Sequence, residues 1–151
     1  MTRLEVERVL PVGRTEGFDY ITDVRNWATY WPHVIDVRDA DRTSWSQAGD
    51  RASVVVESRG NPVEMSLELD ELVPYERVTY RSVQPGLPDF WHERHFGERD
   101  GSLDYRLVIA YEPRRGMSGL IDRVFVARAV RQSLTTTLDN LERIFRARSG
   151  R

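Results

Sequence analysis

The sequence predicts an α+β fold in which a curved antiparallel sheet of about six to seven strands packs against one long C-terminal helix. Between residues 51 and 112, five stretches alternate apolar and polar residues and are separated by turn residues. From residue 118 the apolar period changes from about two to about 3.6, the period of a helix. Consecutive strands with tight connections form antiparallel meanders. A helix of this length must bury one face on the sheet, and incomplete contact between the two encloses a cavity.

The first third of the chain predicts a strand followed by two short helices. The strand covers residues 3–10 and ends at Pro11 and Gly13. Phe18 and Ile21 share one face of the helix predicted over 14–22, although Gly17 weakens that helix. The next elements expected are a short helical or turn segment at 24–31 that Pro32 ends, a strand at 33–39 and a polar turn at 43–50.

The sheet is predicted mainly from the middle of the chain. The expected strands are 51–59, 63–72, 77–84, 90–97 and 102–112, with turns at Asn61-Pro62 and from Glu98 to Gly101. Alternation places these side chains inward: Val63, Met65, Leu67, Leu69, Val78, Tyr80, Leu103, Tyr105, Leu107, Ile109 and Tyr111. The helix predicted over 118–147 carries an apolar stripe of Leu120, Val124, Ala127, Leu134, Leu138, Leu141 and Phe145.

Composition limits the classes of function. A chain of 151 residues fits one domain, 1–151, and a net charge of −2 gives no basic field for nucleic acid. The absence of cysteine excludes disulfides and thiolate chemistry, and because all 22 basic residues are arginine, no lysine can form a Schiff base. No apolar run approaches the roughly 20 residues that span a bilayer. We therefore expect a cytoplasmic, bacterial protein without an integral membrane segment, either a monomer or a homodimer.

Four stretches together resemble one known superfamily. They are ERVLPVGRTEGFDYITD, the tryptophan-rich DVRNWATYWPHV, the hairpin with Phe96 before Gly101, and the passage from YEPRRG into the last helix. In this order they resemble the polyketide cyclase/dehydrase and lipid-transport superfamily, the START-like or Bet v 1-like (SRPBCC) helix-grip proteins. The resemblance implies a helix-grip fold around a cavity for a small hydrophobic ligand. Because the superfamily includes aromatases and cyclases, ubiquinone-binding proteins and sterol carriers, it implies no single function.

The strand FWHERHFG carries the most informative candidate residues. If Phe96 faces the cavity, as the superfamily pattern suggests, then His92 and Arg94 face it too. Histidine could then act as a general acid or base, and arginine could hold an oxyanion or carboxylate. In the opposite register, Trp91 and His95 point inward. Arg94 would then pair on the outer face with a carboxylate such as Asp104 or Glu68. We favour the first register.

Aromatic residues supply further candidates. Tyr80 and Tyr105 lie on inward faces, where each hydroxyl needs a side chain or a ligand oxygen as partner. Trp27, Tyr30 and Trp31 occupy the segment that borders the cavity mouth in the superfamily, where they either stack on a ligand or pack the core. The other residues expected to contact the ligand are Met65, Leu67, Trp91, Phe96, Leu107, Val124 and Leu134.

These candidates support two hypotheses about function. The first is binding of a small hydrophobic ligand of polyketide, quinone, sterol or lipid type, as a carrier or sensor. The alternative is a cofactor-independent polyketide cyclase, aromatase or dehydratase that uses His92, Arg94, Tyr80 and Tyr105. No phosphate-binding or zinc-protease motif occurs, and alternation puts His92 and His95 on opposite faces of their strand. We therefore expect no cofactor and no metal.

Overall fold

Seven strands and three α-helices make up the part of the chain that the computed structural model describes, residues 1–113 and 120–150 with side chains of the last helix from Arg123 onward. The helices are α1 (Arg14–Thr22), α2 (Trp27–Tyr30) and α3 (Leu120–Ser149), and a 3₁₀ turn at Val24–Asn26 precedes α2. The strands are β1 (Thr2–Leu10), β2 (Val34–Val37), β3 (Arg51–Ser58), β4 (Asn61–Val73), β5 (Arg77–Val83), β6 (Phe90–Arg99) and β7 (Ser102–Tyr111).

All seven strands belong to one antiparallel sheet with the order β1-β7-β6-β5-β4-β3-β2. The strands from β2 to β7 follow one another as a meander, and the last of them, β7, pairs with β1, the first strand of the chain. This arrangement, with one long helix across it, confirms the predicted α+β helix-grip fold.

Two hairpin turns differ from the prediction. The turn between β3 and β4 lies at Arg59-Gly60, with φ of 51° and 79°, rather than at Asn61-Pro62. A two-residue turn with both φ values positive matches the twist of the strands that it joins, and glycine accepts that conformation freely. Asp100-Gly101 forms the same kind of turn, with φ of 51° and 79°, so β6 continues beyond its predicted end at residue 97.

Gly17 allows α1 to lie close to the sheet. A Cβ atom at this position would lie 2.7 Å from Leu103 Cδ2 and 3.1 Å from Val12 Cγ1. Glycine lowers the stability of a helix, but here it is needed because α1 packs too close to β7 for a side chain. Phe18 and Ile21 are buried, as the predicted helix face requires.

Roughly the second half of α3, from Leu134 onward, supplies the helix's fully buried core residues, and Val126, Ala127 and Val130 before it are partly buried. Leu134, Leu138, Leu141 and Phe145 are all buried, as predicted. An ion pair of 2.7 Å between Arg8 and Asp139 and a hydrogen bond of 2.9 Å from Asn140 to the Tyr30 carbonyl also hold this half in place.

The first turns of α3 depart from the predicted stripe. Val124 is 54% exposed, so its assignment to the buried face and to the cavity wall is wrong. At 3.6 residues per turn, Val124 lies about 80° around the helix axis from Leu134, whereas Ala127 lies close to the line of the buried residues and is half-buried. Residues 118 and 119 of the predicted helix, and the Leu120 side chain, lie outside the described residues. No helix in the described part of the chain is long and apolar enough to cross a membrane.

Candidate functional site

β6 presents two of its polar residues, His92 and Arg94, to the interior. His92, Arg94 and Phe96 are buried, whereas Trp91, which is 38% exposed, and His95 lie on the outer face. The strand therefore has the favoured register. The expectation that Trp91 contacts a ligand in the cavity is wrong for the same reason, because alternation turns its side chain outward. His92 and His95 point to opposite faces and cannot share a metal ion.

The neighbouring strands place aromatic residues beside those of β6. Tyr80 of β5 is opposite His92, and their rings stack with centroids 4.3 Å apart and planes 8° from parallel. Tyr105 of β7 is opposite Phe96. Ser82, two residues beyond Tyr80, brings its Oγ within 2.8 Å of His92 Nε2. Cross-strand pairing thus collects one imidazole, one guanidinium and two phenols on the inner face of three strands.

Arg94 directs most of its hydrogen bonding to one oxygen. Its Nε and Nη2 both donate to the Tyr80 hydroxyl, at 3.1 and 2.7 Å. The guanidinium carbon also lies 5.7 Å from the centre of the Tyr80 ring and 5.9 Å from the Trp31 ring, within the range of cation–π attraction. Within the described part of the chain, Nη1 has no hydrogen-bond partner. The arginine is therefore fixed in position, and one of its nitrogens, Nη1, is left without a partner among the described residues.

No described carboxylate neutralises the Arg94 charge. Asp104, one outer-face candidate, pairs with Arg99 at 3.4 Å, and Glu68 pairs with Arg51 at 3.5 Å. The outer-face hypothesis for Arg94 is therefore wrong. Since Arg94 is only 7% exposed, its charge is buried without a counter-ion among the described residues. Burial of such a charge costs on the order of several kcal/mol unless a partner offsets it.

Burial and the arginine charge set the protonation of the site. Burial alone would lower the pKa of Arg94, but nearby tyrosine hydroxyls, Tyr80 first, raise that pKa above its ordinary value. Burial, with the Arg94 charge as a second cause, holds the pKa of His92 well below 6.5. Burial raises the pKa of Tyr105 to about 12, and Arg94 opposes that shift. At neutral pH the site therefore contains a neutral imidazole, two neutral phenols and one cation.

Three polar atoms of this cluster are buried without a hydrogen-bond partner among residues 1–113 and 123–150: Arg94 Nη1, the Tyr105 hydroxyl and His92 Nδ1. A fourth such atom, Asp104 Oδ1, belongs to a residue on the outer face of β7. An unsatisfied buried polar group costs about 1–3 kcal/mol. Buried polar atoms without protein partners are usually satisfied by bound water or by a ligand, and the clustering of three of them on one inner surface makes that surface the candidate site.

The segment from α1 to α2 forms the aromatic wall opposite these strands. Trp27 Nε1 and the Tyr30 hydroxyl both donate to the Ile21 carbonyl, at 3.2 and 2.7 Å. Trp31 meets the Tyr80 ring edge-on, with centroids 6.2 Å apart. Trp27 and Tyr30 are therefore anchored to the end of α1, and Trp31 closes over the strand cluster.

A small cavity of about 20 Å³ lies between this wall and the strands. Its lining consists of Ile21, Thr22, Trp27, Tyr30, Trp31, Trp45, Val78, Tyr80, Arg94, Phe96 and Tyr105. The space holds about one water-sized group, whereas small-molecule sites usually enclose about 300–1,000 Å³. In this conformation the space between the wall and the strands is too small for the ligand that the sequence predicts.

The remaining candidates lie elsewhere. Met65, Leu67, Leu107 and Leu134 are buried in the core but do not line this cavity. His92 is buried behind the ring of Tyr80 and does not line the cavity either, so the structure brings only Arg94, Tyr80 and Tyr105 of the predicted catalytic set to it. Val124 is exposed at the start of α3.

Sequence reasoning missed five residues of the site: Trp45 and Ser82, together with Ile21, Thr22 and Val78, which also line the cavity. Trp45 lines the cavity although its segment was predicted to be a polar turn. The signal was a single large aromatic residue in a stretch otherwise without large apolar side chains. Ser82 contacts His92 and follows Val78 and Tyr80 on the inward positions of β5, so simple alternation would have found it.

Comparisons with known proteins identify the family and the fold. A sequence model of the family described as polyketide cyclase / dehydrase and lipid transport matches residues 1–146. No curated protein matches the sequence.

Solved structures share the fold. The Zhui aromatase/cyclase from Streptomyces sp. R1128 superposes with a TM-score of 0.79 at 16% identity, covering 98% of this chain and 95% of that one. The protein TTHA0849 from Thermus thermophilus gives 0.78 at 17% identity, covering 98% and 99% of the two chains. Ara h 8.0201 gives 0.76 at 13% identity, with 97% and 98% covered. At these identities the likeness concerns the fold alone.

Proposed function

This chain belongs to the polyketide cyclase/dehydrase and lipid-transport family, and we propose that it binds a small, mostly apolar molecule through an oxygen held by Arg94 and Tyr105. The observation that carries the proposal is the buried guanidinium, which has a free Nη1 donor and no described carboxylate beside it. The Tyr80 hydroxyl supplies an acceptor but no negative charge. A ligand oxygen would supply both.

The chemistry of the free donors selects the ligand group. Arg94 Nη1 can only donate, and the Tyr105 hydroxyl donates while its pKa stays near 12. Two donors favour an oxygen that accepts twice, such as a carboxylate, an enolate or a polarised carbonyl. Alcohols and ethers suit the pair less well because their oxygen carries less negative charge than that of a carboxylate, an enolate or a polarised carbonyl.

The walls select the rest of the ligand. Trp27, Trp31, Trp45 and Phe96 present ring faces and edges to the cavity. Aromatic side chains pack well against flat ring systems and bury large apolar areas. Apolar burial contributes about 25 cal/mol per Å² before the costs of association. Planar ring compounds such as polyketide-derived aromatics or quinones fit these walls, and sterols or acyl chains are the other members of the proposed class.

A titration with simple aromatic probes tests this function. We expect naphthoate to bind saturably at about one site per chain and more tightly than its methyl ester, which lacks the negative charge. Native mass spectrometry of freshly purified protein should also detect a bound organic molecule that dissociates on unfolding. Absence of saturable binding by naphthoate, by the ester and by longer aromatic acids would contradict the proposal.

The second candidate function is catalysis by a cofactor-independent cyclase, aromatase or dehydratase. The observation that favours it is His92, a neutral imidazole that neighbours a cation and whose Nδ1 has no partner among the described residues. A neutral imidazole can remove a proton next to a carbonyl, while Arg94 stabilises the enolate that results. The fold shared with an aromatase/cyclase is compatible with this chemistry but carries no evidence for it.

Deuterium exchange separates binding from catalysis. An aryl β-diketone in D₂O exchanges its acidic hydrogens when a base removes them, and proton NMR follows the loss of signal. For an enzyme we expect exchange faster than in buffer, and His92→Phe should abolish the excess. Equal exchange rates with wild type, with His92→Phe and in buffer would contradict the catalytic function, and only the binding function would remain.

A further inference from the structure

Trp45 stands between the buried cavity and a groove on the surface. It lines the cavity of about 20 Å³ and also a groove of about 290 Å³ whose other residues include Thr22, Asp41 and Thr43. Thr22 is the second residue that lines both spaces. If the ring of Trp45 left its place, the groove would open toward Arg94.

Two of the other aromatic walls, Trp27 and Tyr30, are held more firmly. Trp27 and Tyr30 lie on α2 and are hydrogen-bonded to the Ile21 carbonyl. Trp45 lies on the connection between β2 and β3, from residue 38 to residue 50, which contains no helix or strand. It meets Trp27 and Tyr80 only through edge-on ring contacts, with centroids 5.2 and 5.8 Å apart. Among the described residues, no hydrogen bond holds its indole.

One carboxylate fixes the loop shape that points Trp45 inward. Asp50 Oδ2 accepts hydrogen bonds from the Ser46 amide at 2.8 Å, the Gln47 amide at 3.1 Å and the Ser44 hydroxyl at 3.1 Å. These donors flank Trp45 on both sides. The backbone of Asp50 is itself paired to Leu69 of β4 at 2.8 Å. The inward position of Trp45, which we call closed, therefore depends on the hydrogen bonds to the Asp50 carboxylate, which lie outside the cavity and which we call the cap.

We propose that Trp45 is the movable wall of the ligand site, and that its outward displacement connects the surface groove to Arg94 and admits the ligand. The inference rests on the proposed function, since it assigns the way into that same site. The buried donors need a ligand oxygen as partner, but the cavity has room for only about one water. Displacement of Trp45 would provide the missing space. The ligand then occupies space that the indole fills in the free protein.

The rate of association measures the barrier that Trp45 imposes. If the closed form dominates, the observed association rate is reduced by the fraction of open molecules. We expect Trp45→Ala to speed naphthoate association about tenfold or more in stopped-flow fluorescence. Trp91→Ala is the matched control, because it removes a half-exposed tryptophan from the outer face, and its rate should equal that of wild type.

Asp50→Ala gives a second test that leaves the cavity wall intact. It removes the cap alone, so it should also speed association, even if Trp45→Ala does not fold. If both variants bind naphthoate at rates within about twofold of those of wild type and Trp91→Ala, the inference about Trp45 is wrong. The proposed function would still stand in that case, because naphthoate binds. If wild type, Trp45→Ala and Asp50→Ala all fail to bind naphthoate, both are wrong.

Discussion

The Arg94 guanidinium donates from both Nε and Nη2 to a single atom, the Tyr80 hydroxyl oxygen, at 3.1 and 2.7 Å. A neutral oxygen thus orients a buried cation without cancelling its charge. The two hydrogen bonds and the rings of Tyr80 and Trp31 offset part of the electrostatic cost of burying Arg94, and a bound anion or polarised oxygen would offset more of it. Tyr80 is therefore a positioning residue for the arginine.

Removal of the Tyr80 hydroxyl should destabilise the protein. In Tyr80→Phe, two guanidinium N–H groups lose their acceptor in a buried place. We expect the free energy of unfolding to fall by about 1–3 kcal/mol, the usual cost of unsatisfied buried groups. Urea unfolding measures it. Tyr20→Phe is the control, since that hydroxyl bonds Thr29 at the surface. Equal losses in the two variants would contradict the role given to Tyr80.

Acidification should destabilise the protein through His92. Burial holds the pKa of this histidine well below 6.5 in the folded state, with the Arg94 charge as a second cause. Below pH 6.5 the unfolded chain takes up a proton that the folded protein does not, so unfolding becomes easier as pH falls toward the folded-state pKa. The loss reaches at most about 1.4 kcal/mol per pH unit, and above pH 6.5 the contribution is constant.

The variant His92→Phe keeps a ring to stack on Tyr80 but cannot titrate. We expect its free energy of unfolding to fall less than that of wild type between about pH 7 and pH 5. Denaturant unfolding at several pH values measures both slopes. Identical slopes would show that the folded protein protonates His92 as readily as the unfolded chain does.

The substitution Gly17→Ala should destabilise the protein, although alanine is the better helix former. A Cβ atom there meets Leu103 Cδ2 at 2.7 Å, so the overpacking cost of about 1–3 kcal/mol exceeds a propensity gain of about 1 kcal/mol. At Gly13, just before α1, a Cβ atom meets nothing within 4 Å. We expect thermal or urea unfolding to show a clear loss for Gly17→Ala and a change below about 1 kcal/mol for Gly13→Ala. A stabilised Gly17→Ala protein would mean that α1 lies farther from β7.

Regular periodicity made most of the fold and part of the site predictable. Alternation together with the position of Phe96 placed His92 and Arg94 on the inner face, where the structure has them. The helical stripe identified Leu134 and Phe145 as core residues. Both inferences work because the sheet and the helix each bury one face. The spacing of apolar residues along the chain therefore shows which side chains point toward the core.

Two errors arose because residue type was weighed without the position of the residue in its element. Val124 was included in the stripe because it is apolar, although its angle around the helix turns it away from the buried line. The turn placed at Asn61-Pro62 lies at Arg59-Gly60, since backbone twist outweighed the residue preference. Composition alone indicates neither effect.

The tightness of the cavity depends on contacts between segments distant in the chain. Trp45 packs against Trp27 and Tyr80, and no local pattern links a polar loop to a helix and a strand. The same holds for the counter-ion that Arg94 lacks among the described residues, because only the structure shows that Asp104 and Glu68 are paired elsewhere.

Replacement of Arg94 by methionine tests the central claim most directly. Methionine keeps much of the length and removes the charge and the donors, and Arg77→Met is the matched control because Arg77 pairs with Glu71 at 2.7 Å on the outer face of β5. With far-UV spectra unchanged, calorimetric titration with naphthoate should show affinity weakened by about 1.5–3 kcal/mol in Arg94→Met, or about ten- to 150-fold, and wild-type affinity in Arg77→Met. Equal dissociation constants for wild type and Arg94→Met would contradict the claim that Arg94 holds the ligand.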